Sequence, residues 1–155
     1  MTDTLQETNV EPTDMISTET RELTPQEQLN ELIAERTGSF VIQTDYTDLK
    51  WVKNSLEKAE FKGTNEAYLV VTSAIALDQA LSMLDAKSID TVEVSLDATV
   101  IETINFFLNR HTGKGVESAR RLFIAAMKFR KSMETISELD KQIEKLSSEI
   151  NSDKK

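Results

Sequence analysis

Apolar residues follow two different spacings along this chain. Residues 39–44 and 91–96 alternate apolar and polar side chains, which predicts two short strands. Each is followed by an aspartate in helix-capping position, a stretch with apolar residues every three or four positions, a Lys-Gly turn and a second such stretch. We therefore predict two strand–helix–turn–helix repeats, at residues 39–84 and 91–136.

A shift of 52 residues brings the two repeats into register. The shift places Asp45 over Asp97, Leu56 over Leu108, Lys62-Gly63 over Lys114-Gly115, Ala67 over Ala119, Leu77 over Phe129, Leu81 over Met133 and Leu84 over Ile136. A two-stranded sheet is marginal alone, so the helices must cover it. The predicted fold class is helix-dominated α+β, with two strand–helix–turn–helix repeats, a small two-stranded sheet and a long C-terminal helix.

Other segments complete the predicted organisation. Residues 1–23 are rich in Thr, Glu and Asp with few apolar side chains, which predicts a disordered acidic arm. Thr24 begins a helix with a capping box to Glu27, and residues 24–136 form a single domain. We read the Lys-Gly turns as helix C-caps, and we expect Thr64 or Asn65 to cap the following helix. That helix is apolar on several sides, so we expect it to be the most buried one.

The C-terminal helix runs past the second repeat into residues 137–155, where its apolar residues form a narrow stripe. Isoleucine at heptad position a and leucine at d favour a parallel two-stranded coiled coil. The predicted oligomerisation residues are Phe129, Ile136, Leu139, Ile143, Leu146 and Ile150. The alternative is that this stretch lies back along the core of its own chain. Self-association, as a homodimer or a higher oligomer, is the simpler interpretation.

Charge is distributed unevenly. The net charge is −9, and residues 1–35 contain nine acids and one arginine, so the rest of the chain is nearly neutral. A basic segment runs from Arg110 to Lys131, over the second predicted turn and the helix that follows it, and its basic residues are Arg110, Lys114, Arg120, Arg121, Lys128, Arg130 and Lys131. Such a surface can bind phosphates of a nucleic acid or another anion. It can also be an ordinary solvated helix face, or a surface that the acidic arm covers.

Residue types that carry chemistry are scarce. The chain has no cysteine, and His111 is its only histidine, so motifs with two histidines or with thiolates are absent. We read His111 as a residue at a helix end, and Asp45 and Asp97 as N-caps. Neither Lys-Gly turn has the spacing of a phosphate-binding loop. We expect no catalytic, cofactor-binding or metal-binding residues and, without an apolar run long enough for a membrane, a soluble cytoplasmic protein.

These observations favour a non-enzymatic, self-associating protein that acts by binding, as a scaffold, an adaptor or a chaperone-like accessory protein. Its expected partners are other copies of itself and another protein, with no membrane. The alternative is a nucleic-acid-associated protein that uses the basic segment, with the acidic arm modulating access. The small size and the duplicated unit would suit an accessory protein of a phage or mobile element.

Overall fold

The computed structural model describes residues 21–154, and these form five helices around two strands. The elements are α1 (Pro25–Thr37), β1 (Ser39–Thr44), α2 (Tyr46–Glu57), α3 (Gly63–Ser82), β2 (Val92–Asp97), α4 (Ala98–Asn109) and α5 (Gly115–Asp153). The predicted fold class is confirmed: helices dominate, the sheet has two antiparallel strands, and the C-terminal helix is long. Residues 1–20 of the predicted acidic arm lie outside the described residues.

The strand–helix–helix order occurs twice, with the helices in phase. α2 begins at Tyr46 and α4 at Ala98, and α3 and α5 begin at Gly63 and Gly115, so the shift of 52 residues holds for both helix pairs. The N-caps are equivalent as well. The Asp45 carboxylate accepts a hydrogen bond from the Asp48 N–H at 2.7 Å, and the Asp97 carboxylate accepts one from the Val100 N–H at 3.0 Å.

The two glycine turns differ from the prediction. Gly63 and Gly115 have positive φ angles of 78° and 85°, as a glycine in a tight turn allows. They do not end the preceding helices, which close at Glu57 and Asn109; each glycine instead turns the chain into the next helix. Thr64 and Asn65 do not cap α3, because the helix already begins at Gly63. Thr24 does cap α1 through the predicted capping box with Glu27.

The core lies between one face of the sheet and the helices. The register pairs Ser39 with Asp97 and Thr44 with Val92, which directs Ile42, Val94 and Leu96 into the core. The outer helices α3 and α5 each pack on both α2 and α4. The expectation that α3 is the most buried helix is wrong, because α4 buries more of its residues while α3 lies at the outside of the helical layer.

The C-terminal helix packs against its own chain. Phe129 and Ile136 belong to the main core, and Leu139 is also buried. α1 packs along α5, and its Arg36 forms ion pairs with Asp140 of α5 and Glu102 of α4, both at 2.7 Å. The Asp140 carboxylate, helped by Glu102, raises the pKa of Arg36 above its ordinary value.

This arrangement corrects the first half of the predicted coiled-coil seam. An apolar stripe with heptad spacing can pack on the core of its own chain as well as on a partner helix. Phe129, Ile136 and Leu139 are buried within their own chain. These three residues are therefore not open to a second chain. Ile143, Leu146 and Ile150 are half-buried, and their role in self-association stays a prediction.

Candidate functional site

The predicted basic segment contains an internal ion cluster. Arg121 lies 2.8 Å from one carboxylate oxygen of Asp48, and the Lys128 ammonium lies 3.7 Å from the other. Asp48 is only 5% exposed, and Arg121 also donates a hydrogen bond to the Thr47 carbonyl oxygen at 3.1 Å. A carboxylate removed from water needs such partners. These two cations therefore compensate a charge in α2, whereas we expected them to face solvent.

Most other bases of the segment also have carboxylate partners. Arg110 pairs with Glu66 at 3.2 Å, and its guanidinium lies 4.8 Å from the ring centroid of Phe106. The remaining pairs form along α5, between Arg120 and Glu117 at 2.9 Å and between Arg130 and Glu134 at 3.1 Å. Within residues 21–154, Lys114 and Lys131 have no carboxylate partner. The segment thus offers far less free positive charge than its composition indicates.

A cleft of about 800 Å³ lies where the two repeats meet. Its walls come from equivalent segments, residues 51–60 of the first repeat and 104–112 of the second, together with the start of α5. His111 follows α4, and its ring centroid lies 5.4 Å from that of Trp51. Among residues 21–154 no three metal-ligating side chains form a cluster, and Asp45 and Asp97 lie at opposite ends of the strand ladder. The contacts of His111 match its predicted place at a helix end.

The outer side of α3 is apolar and open to solvent. Tyr68, Val71 and Ile75 form what we call the α3 face; Tyr68 is 68% and Val71 57% exposed. These residues lie three and four positions apart, so they share one side of the helix. Residues 67–77 contain no charged side chain, so nothing on these three turns favours water strongly. A helix with one apolar side in the core and a second in solvent is typical of a chain that has a further contact to make.

The first half of α5 has a matching surface. Phe123, Ile124 and Met127 form what we call the α5 face, and Phe123 is 64% exposed. Beside it lies a groove of about 430 Å³, whose lining includes Met133. The repeat shift places Val71 over Phe123 and Ile75 over Met127, so both repeats expose large apolar residues at the same two positions.

Sequence reasoning missed both faces. It assigned α3 to the interior, because periodicity detects an apolar stripe without showing what covers it. The sequence did contain one signal of these faces. α3 has apolar residues on several sides, which is more than one buried face requires. The apolar content of the helix as a whole does not show that Leu77 lies on the buried side and Val71 on the exposed side.

No protein-family model, curated protein or solved structure matches this chain. Over residues 21–154, each helix is too short or too polar to cross a bilayer.

Proposed function

We propose that this protein is a non-enzymatic binding protein that associates with copies of itself and works as a scaffold or adaptor in an assembly. The observation that carries the proposal is the α3 face. It leaves three large apolar side chains in water on a helix that the fold already holds in place. Covering such side chains stabilises a complex by about 25 cal/mol per Å² of apolar surface removed from water, less the cost of association.

A second copy of the chain suits this face because the face is uncharged. Residues 67–77 have no ionised group to desolvate or to repel an identical neighbour. The repeat adds a further argument, because the same chain has a second apolar face at the equivalent positions of α5. A chain with two such faces can contact two neighbours, which is what an assembly subunit needs.

The nucleic-acid alternative has weaker support. Phosphate contacts need cations that are free to release counterions, and carboxylates engage five of the seven bases of the basic segment. Within residues 21–154 only Lys114 and Lys131 lack a carboxylate partner, and two lysines give a shallow dependence on salt. Retention of nucleic acid by the intact protein at low salt would favour this alternative over the assembly role.

The test is the variant Val71→Glu, measured by multi-angle light scattering across a range of concentrations. Val71 is more than half exposed, so the change should leave the fold intact and reduce the mass of the self-associated protein towards that of one chain, 17.5 kDa. Asn54→Glu is the matched control, since it adds the same charge at an exposed site on α2, outside both apolar faces. A wild-type protein that stays at 17.5 kDa at every concentration would refute the proposal.

A further inference from the structure

We propose that copies of this chain associate head to tail, with the α3 face of one copy on the α5 face of the next. This inference deepens the proposed function and rests on the self-association in it. Identical copies can pair in three ways through these faces: α3 on α3, α5 on α5, or α3 on α5. Shape, charge and the need to cover both faces together select the third.

The two faces differ in shape. On the α3 face, Tyr68, Val71 and Ile75 follow one another at three- and four-residue spacing, and such a row of side chains forms a ridge along a helix. Tyr68, at the N-terminal end of the row, is the most exposed of the three. On the α5 face, Phe123 and Met127 line a groove of about 430 Å³ between α4 and α5. Methionine side chains bend and adapt to what they contact, which suits a groove that receives an aromatic ring. A ridge and a groove fit each other better than either fits its own copy.

The charges around the faces differ in sign. α3, residues 63–82, has the acids Glu66 and Asp78 and no base. The equivalent residues of α5, 115–134, contain five bases and two acids. Part of this charge is compensated inside the chain, since Arg110 pairs with Glu66 and Lys53 with Asp78.

The compensation is incomplete on α5. There, Lys131 lies one turn after Met127 and has no carboxylate partner within residues 21–154, whereas Arg121 and Lys128 face Asp48 of α2 on another side of the helix. The α5 face therefore stays positive, whereas the surroundings of the α3 face are close to neutral. Two α5 faces repel each other, but an α5 face and an α3 face do not.

Coverage decides between the two remaining arrangements. Pairing α3 with α3 would leave Phe123 and Met127 of both copies in water. Pairing α3 with α5 uses one kind of contact, repeated from copy to copy, and covers both faces. A contact between unlike surfaces does not close after two copies, so it builds a ring or an open filament.

The experiment blocks one face at a time and then mixes the two blocked proteins. Val71→Glu blocks the α3 face, and Met127→Glu blocks the α5 face. Each variant alone should stay at 17.5 kDa by light scattering, because the intact face of one molecule meets only blocked faces on others. An equimolar mixture should form a species of twice that mass and no larger one, because the intact α5 face of the first variant takes the intact α3 face of the second.

Each other outcome overturns the head-to-tail arrangement. If Met127→Glu alone still dimerises and the mixture gives no new species, the contact is α3 on α3. If Val71→Glu alone still dimerises, the contact is α5 on α5 or is made by the apolar stripe of Ile143, Leu146 and Ile150. In these cases self-association stands and only the head-to-tail arrangement fails, whereas a monomeric wild type refutes the proposed function itself.

A second α5 variant guards against a folding defect. Thermal unfolding of each variant by circular dichroism verifies the fold before mixing. If Met127→Glu unfolds, Phe123→Glu replaces it, because Phe123 is the more exposed residue of the same face. The same mixture with this variant must again give the species of twice the monomer mass.

Discussion

The outer helices of the two repeats, α3 and the first half of α5, are alike on the inside and different on the outside. Leu77 and Phe129 occupy equivalent positions and are both fully buried. On the outer side, Tyr68 of α3 corresponds to Arg120 of α5, and the apolar residues of α5 lie among bases whereas those of α3 do not. Inward positions must fill one shared core, which restricts most of them to apolar or small residues. Outward positions are free of that restriction, so a duplicated unit can present two different contact surfaces.

The largest effect should come from the matched core pair. Leu77→Ala and Phe129→Ala should each lower the free energy of unfolding by about 3 to 5 kcal/mol, because each leaves a cavity in the same core. Urea unfolding followed by circular dichroism should show one cooperative transition in both variants. Ile75→Ala, an exposed change on α3, is the control and should cost less than about 1 kcal/mol. Two separate transitions, or a loss in only one variant, would show that the repeats do not share a core.

One buried position has a charged residue in the first repeat and an apolar residue in the second. Asp48 of α2 corresponds to Val100 of α4, and both are buried. The cations that compensate Asp48, Arg121 and Lys128, correspond to Leu69 and Ala76. The first repeat thus contributes a buried charge where the second contributes a valine, and the opposite outer helix differs to match.

This difference allows the charged version of the position to be replaced by the apolar version. Arg121→Leu together with Lys128→Ala should lower the free energy of unfolding by about 3 kcal/mol, because Asp48 stays buried without a partner. Adding Asp48→Val completes the apolar version and should bring stability to within about 1 kcal/mol of the wild type, since apolar residues often replace a buried ion cluster at no loss. Chemical denaturation of the double and triple variants measures both steps. A double variant as stable as the wild type would mean that the cluster is effectively solvated.

Local patterns predicted this fold well, and the pairings between distant segments escaped them. The seven-residue spacing of Arg121 and Lys128 places them on one side of a helix, and the structure agrees. What that side faces depends on Asp48, which lies far away in sequence in the other repeat. For the same reason, the heptad spacing of Phe129 and Ile136 indicates a covered stripe but not whether the cover is the chain's own core or a second copy.

The smallest effect concerns one buried hydroxyl. Ser73 and Ala125 are equivalent and fully buried, and within residues 21–154 the Ser73 hydroxyl has no hydrogen-bond partner. Such a group loses its contacts with water and gains nothing in return. Ser73→Ala should therefore raise the free energy of unfolding by about 1 kcal/mol, and Ala125→Ser should lower it by a similar amount. Thermal and urea denaturation of the two variants measure the changes. If Ser73→Ala destabilises the protein instead, the hydroxyl has a hydrogen-bond partner, and the two equivalent positions have different polar surroundings.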